Sequence, residues 1–268
     1  MYDLFCMMNQ PVEVVVLGSG TSHGIPMIGC PCEVCTSDDP HDRRFRTSLF
    51  VRFSGVRFLI DTAPELRLQC LAHDIQAVDA ILFTHNHADH VLGLDDLRRF
   101  NWLMKKALPC YGSEATLAGI RRMFTYAFEP APNSPHSRPQ LELHPIDADP
   151  FVVGEATIIP IPLFHGPLPV LGFRFGRFAY CTDCNLIPES SMRLLVGLDV
   201  IILDALRKKP HPAHFTIDEA VAAAHRIGAK QTYFTHMTHE LRHEDTNRYL
   251  PKGMALAYDG LRFSAGSV

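Results

Sequence analysis

The chain has no apolar run approaching the roughly 18 residues that a membrane-crossing helix requires, so no membrane partner is expected. It also has no long run of Lys or Arg. With 25 Lys and Arg against 29 Asp and Glu, the net charge is -4. Duplex nucleic-acid binders usually carry a basic face, and its lack argues against a nucleic-acid partner while leaving room for a small anionic substrate. The first ten residues contain neither the charged start nor the apolar stretch of a secretory signal, which points to a cytoplasmic protein. Under the reducing conditions of that compartment, the 8 Cys read as thiols or metal ligands rather than as a disulfide framework. No internal repeat and no low-complexity tract divides the chain.

At 47% hydrophobic and 20% charged, the 268 residues can bury a sizeable core, and residues 1–268 read as a single domain. Short apolar runs rich in β-branched residues predict strands at 12–17, 48–53, 57–60, 80–83, 156–161, 172–180, 200–203, 231–234 and 254–258. Helical spacing appears at 64–73, 92–106, 113–126, 188–196 and 216–227, the last opened by a Thr216/Glu219 capping box. The Pro-rich residues 129–139 read as a long surface loop. Strands arrive in bursts with helices between them, an α/β pattern of two mixed sheets covered by outer helices.

Histidine is the residue in excess, at 15. Four potential ligands fall within six residues where the strand at 80–83 ends: His85, His87, Asp89 and His90. Residues two apart on an extended chain share a side, so His85 and His87 converge, and a following helix can turn Asp89 and His90 back to the same point. A metal needs more ligands than two imidazoles. His165, Asp183 and His236 each stand at the end of an apolar strand, where side chains reach a common loop edge. A second cluster, Cys30, Cys32 and Cys35, places three thiols in six residues, as a tetrahedral Zn²⁺ site requires. His239, three residues beyond His236, is the candidate fourth ligand of that closed, structural zinc site.

The order Asp61, His85-x-His87-x-Asp89-His90, His165, Asp183, His236 resembles the metallo-β-lactamase superfamily. That resemblance implies an αββα four-layer sandwich holding two divalent metals at the active site, Mn or Zn. His85, His87 and His165 would hold one, Asp89, His90 and His236 the other; Asp183 would bridge them, and Asp61 would orient ligands. A bridging hydroxide would be the nucleophile, and two cations less hydroxide, Asp89 and Asp183 leave a site of about +1 that attracts anions. With residues 18–26, the three Cys and Thr235-His236-Met237-Thr238-His239, the likeness narrows to the phosphoribosyl cyclic phosphodiesterases of the carbon–phosphorus lyase pathway. It implies a small cyclic phosphodiester substrate, such as a ribose cyclic phosphate, and is consistent with a homodimer. The alternatives are a ribonuclease resembling the transfer-RNA 3′-processing enzymes, or a metal-retaining binding protein without activity.

The catalytic candidates are Asp89 and His214; by the same resemblance His214 would contact the scissile phosphate, with His211 its rival. Asp204, ending the strand at 200–203, is a candidate partner for a ligand His. The glycines after the first strand do not open a helix, so they make a poor dinucleotide loop. His23 is a candidate pocket residue, Cys181 reads as core, Cys184 as oxidation-sensitive, and Cys6, Cys70 and Cys110 as structural.

Overall fold

A computed structural model of the chain describes residues 11–129 and 138–266. Most of the Pro-rich loop and Cys6 therefore lie outside the described residues. Fourteen strands form two seven-stranded sheets among the described residues. The first contains β1 (Val12–Gly18), β2 (Ser48–Phe53), β3 (Val56–Ile60), β4 (Ala80–Leu82), β5 (Leu108–Gly112), β6 (Leu141–Pro145) and β14 (Arg262–Ala265), in the order β14-β1-β2-β3-β4-β5-β6. The second contains β7 (Phe151–Val153), β8 (Ala156–His165), β9 (Leu168–Phe175), β10 (Phe178–Cys181), β11 (Val200–Asp204), β12 (Gln231–Thr235) and β13 (Met254–Leu256), in the order β13-β12-β11-β10-β9-β8-β7. Each sheet is antiparallel through its hairpins and parallel in its other half.

The layering follows from which side chains share a cluster. On β1, Val12, Val14 and Val16 point into a core that also holds Phe58 of β3, Phe173 and Phe175 of β9, and Ile202 of β11. This is the seam between the sheets. The alternate residues Val15 and Leu17 meet Ile81, Leu66, Leu97 and Leu117 on the outer face of the first sheet. There lie α1 (Leu66–Ala72), α3 (Leu97–Met104) and α4 (Glu114–Met123). Between α1 and α3 the chain forms α2 (Ala88–Val91). On the far side, Ile201, Leu203 and Phe234 pack with Ile217, Ala220 and Ala224 of α7 (Ile217–Ile227). A strand buried on both faces reads as a continuous apolar run, which is why β1, β4 and β11 were visible in the sequence. The α/β four-layer sandwich expected from the sequence is the fold observed.

Several element boundaries differ. The strand expected at 172–180 is two, β9 and β10, hinged at Gly176, whose positive φ of 50° turns the chain. The helix expected at 92–106 is a 3₁₀ turn over Leu92–Asp96 followed by α3. The expected helix at 113–126 ends at Met123, and a separate short α5 (Thr125–Phe128) follows. The capping box at Thr216 and Glu219 is present as expected.

Phe58 is fully buried in the seam, 5.3 Å from the Phe175 ring. Phe58→Ala is expected to lower the unfolding free energy by about 3–5 kcal/mol through lost burial and the cavity left behind. Urea denaturation measures this; a loss under about 1 kcal/mol would contradict the seam as the principal core.

Candidate metal centre

Strand ends place the chemistry. β3 delivers Asp61, β4 the segment from Thr84 to His90, β8 His165, β10 Asp183 and β12 His236. Three of these, Asp61, Asp183 and His236, sit at φ of 60°, 50° and 62°. A left-handed backbone is uncommon for residues other than glycine. It persists only where the surroundings over-determine it, and such residues concentrate at functional sites. The turn it makes lets a side chain leaving a strand point across the sheet edge rather than along it.

Asp89 and His90 sit within α2, closer to the strand than the helix expected from residue 92 onward. Gly93 seals the turn behind them: its N–H donates to Thr62 O at 2.9 Å, and Thr62 N–H donates to His90 O at 2.7 Å. A Cβ on Gly93 would lie 2.0 Å from the carbonyl oxygen of Ala63, so only glycine allows this approach.

The ligand atoms converge in two sets. His85, His87 and His165 offer three atoms within 4.8 Å of one another, and Asp89, His90, Asp183 and His236 offer four. Asp183 stands between the sets. Its carboxylate lies 3.8 Å from His85 Nε2, 3.3 Å from His90 Nε2 and 3.3 Å from His236 Nε2. Three of the rings are held from behind, whereas His236 Nδ1 is buried without a hydrogen-bond partner. His90 Nδ1 donates to Asp61 at 2.7 Å, His165 Nδ1 to the Ala213 carbonyl at 2.8 Å, and His85 Nδ1 to Thr84 Oγ1 at 3.0 Å. Thr84 in turn donates its N–H and hydroxyl to Asp61, both at 2.8 Å. Each such bond puts the ring proton on Nδ1 and leaves an Nε2 lone pair facing the cleft, the arrangement seen around metal-ligating histidines.

The residues fit divalent cations on two observations. The Nε2 atoms of His85 and His90 are buried without a hydrogen-bond partner, a costly state unless something binds them. Burial also pushes His85, His87 and His165 below the usual histidine range, toward the neutral form that a metal requires. At His90 burial opposes charge, but Asp183, Asp89 and Asp61 outweigh it and raise the pKa. Those carboxylates thus demand positive charge nearby, from imidazolium protons or from cations.

Next to this cluster, His214 Nδ1 donates to Asp204 Oδ1 at 3.0 Å. Asp204 also accepts from the backbone N–H of Asp183 and of Phe215. The His214 ring stacks on His236 at 4.7 Å and meets His165 edge-on at 4.5 Å. Burial pushes His214 down to about 3. His211 is half-buried, its ring 5.0 Å from that of His214, and its Nδ1 accepts from the Ala213 N–H. Asp204 was expected to serve a ligand His; it lies 3.8 Å from His236 Nδ1, too far for a hydrogen bond, and its partner is His214.

The second cluster also assembles. Cys30 and Cys32 Sγ lie 3.3 Å from His239 Nδ1, and Cys35 Sγ lies 3.7 Å from it. One ring nitrogen cannot form three hydrogen bonds, whereas ligands around tetrahedral zinc stand about 3.5 Å apart. Backbone donation from Cys35 lowers Cys32 to about 7, and burial raises Cys35 to about 11. Elsewhere, Cys184 is fully buried and burial drives its thiol pKa upward, so the expectation of oxidation sensitivity fails for want of both access and thiolate. Cys181, Cys70 and Cys110 are buried free thiols. His23 is exposed and belongs to none of the ligand groups.

A cleft of imidazoles and carboxylates at the strand ends of an αββα sandwich defines a class, and the comparisons agree with it. Residues 56–237, more than half of the chain, match the beta-lactamase superfamily domain, and the chain belongs to that family. It is a metallo-β-lactamase-fold hydrolase, a family that implies divalent metals. A crystal structure of a diphosphatase from the PhnP family is similar with a TM-score of 0.89 and 46% identity, covering 95% of this chain and 97% of that one. An octanoyltransferase of Porphyromonas gingivalis is 39% identical over 254 residues, 93% of this chain; the chain spans only 51% of that relative's length. A ribonuclease Z of a Mycobacterium species (strain KMS) is 25% identical over 257 residues, 84% of each. Among the described residues, no helix is long and apolar enough to cross a membrane.

Elemental analysis of protein purified without chelator should find three divalent ions per chain, one of them zinc. Cys30→Ser is expected to remove that zinc alone. Retention of all three ions by Cys30→Ser would refute the Cys-His site.

Proposed function

We propose that the chain is a binuclear metal-dependent phosphoric diester hydrolase acting on a small anionic substrate. A cyclic phosphodiester such as a ribose cyclic phosphate is the leading candidate. The observation that carries this reading is Asp183, held between two ligand sets with His214 beside them. Divalent ions there, Mn or Zn, would supply Lewis acidity toward a phosphoryl oxygen and acidify a water.

The protein's own groups do the rest. Asp61 and Thr84 hold the imidazoles of His90 and His85 in one orientation, so the site needs no rearrangement to bind. Asp204 holds His214 through Nδ1, so Nε2 is the ring atom left to face the substrate. Asp89, the least buried member of its set, lies 3.5 Å from both His90 Nε2 and His236 Nε2. The closed Cys30–Cys32–Cys35–His239 set has no open position for substrate, which suits a structural zinc.

A second reading is cleavage of a diphosphate linkage, favoured by the name of the 46% identical neighbour. It uses the same in-line displacement at phosphorus. The ribonuclease Z likeness supports action on RNA, but a net charge of -4 and the lack of any long Lys/Arg run in the sequence do not favour a long polyanion. The octanoyltransferase likeness carries less weight for activity, since the chain spans half of that protein. A single domain in the cytoplasm, free of membrane and nucleic-acid partners and able to pair as a homodimer, completes the proposal.

Hydrolysis of bis(p-nitrophenyl) phosphate should require added Mn or Zn and vanish in Asp183→Ala. His214→Ala is expected to cut kcat by about 10²–10⁴-fold with metal content unchanged. A fully metallated protein inert toward phosphodiesters and diphosphates alike would overturn the function. Unchanged turnover in His214→Ala would remove that residue from it.

A further inference from the structure

Arg44 is the largest fully buried side chain, 1% exposed, and lies outside both ligand clusters. Its guanidinium spends its donors on one region. Nη1 donates to Thr238 O at 2.9 Å, Nη2 to Leu241 O at 2.5 Å and to Asp42 at 3.3 Å, and Nε to His41 O at 3.3 Å. Its backbone pairs with Ile25 in both directions at 2.8 Å, just ahead of the Cys30–Cys35 loop. One residue therefore grips the loop bearing the three thiols and both flanks of His239.

The gripped turn begins at His236, whose φ of 62° needs external support. On one side that support is backbone. Met237 N–H donates to Ser19 O at 3.1 Å, Thr21 N–H to Met237 O at 3.0 Å, and Thr238 N–H to Leu206 O at 2.8 Å. On the other side, the partners of the Thr238 and Leu241 carbonyls are the two arms of the Arg44 fork. Among the described residues, nothing comparable links Arg44 to His85 and His87, which follow β4, or to His165 at the end of β8.

We propose that Arg44 is a positioning residue that couples the Cys-His cluster to one half of the catalytic pair. By clamping residues 238–241 it holds His236 in its ligating pose, and so sets metal affinity at the Asp89/His90/Asp183/His236 set and not at the His85/His87/His165 set. The inference rests on the two-metal reading above. A planar fork reaches the two carbonyls from two nitrogens held in fixed geometry, whereas a lysine presents one ammonium on a flexible stem. Arg44→Lys keeps a positive charge beside the buried Asp42, so it separates geometry from charge.

The test compares the full-length wild type, Arg44→Lys and Arg44→Met, each stripped of metal and titrated with Mn(II), Zn(II) and Co(II). His87→Ala and His236→Ala serve as references that assign the two steps, and the Co(II)–thiolate absorption band reports the Cys cluster. Both Arg44 variants are expected to bind the ion of the His236 set about 10–100-fold more weakly, with the other set unchanged. Free guanidinium ion should restore part of the loss in Arg44→Met. Equal affinities in wild type and Arg44→Lys would overturn the proposal, as would equal weakening of both sets. If Arg44→Met fails to fold, Arg44→Lys decides alone. A wild type that binds no pair of ions would instead refute the two-metal reading, a distinguishable result.

Discussion

Asp183 is 2% exposed and faces three imidazole nitrogens across distances of 3.3 to 3.8 Å. A carboxylate taken so far from water must be compensated by nearby positive charge. Most of the site's construction answers that requirement. The strand ends bring Nε2 atoms to it from both sheets. The left-handed backbone at Asp61, Asp183 and His236 aims the side chains inward, and Asp61, Thr84 and the Ala213 carbonyl occupy the nitrogens that face away. The sandwich beneath buries both faces of its central strands, which gives these side chains a close-packed platform.

Orientation extends outward in shells. Asp204 accepts from His214, from the N–H of Asp183 and from the N–H of Phe215, so one buried carboxylate sets a ligand's backbone and a candidate catalytic ring together. The Cys-His cluster and Arg44 tie the N-terminal loop to the turn that begins at His236. Substrate specificity is a separate matter from this scaffold. His211 is half-buried, its ring 5.0 Å from that of His214, and it belongs to neither ligand set.

Much of this was legible in the sequence, and the reason is locality. His85, His87, Asp89 and His90 are neighbours in the chain, and His165, Asp183 and His236 betray themselves by ending apolar runs that a two-faced buried strand makes continuous. Arg44 was not legible. It sits in the run Arg43-Arg44-Phe45-Arg46, where nothing marks one arginine as fully buried, and two of its partners are backbone carbonyls nearly 200 residues away. β5 and β6 were missed because Pro109, Glu142, His144 and Pro145 break the apolar pattern. α8 (His243–Tyr249) was missed because its exposed polar face leaves no periodic signal. The separation of β9 from β10 depends on a turn at Gly176, within a run that reads as one strand.

The most direct test of the central claim is anomalous X-ray diffraction at the manganese and zinc edges from crystals of the metal-loaded protein. The account predicts two peaks about 3.5–4 Å apart on either side of the Asp183 carboxylate, and a third, zinc-specific peak amid Cys30, Cys32, Cys35 and His239. A single peak in the cleft, or a pair that does not share Asp183, would contradict it.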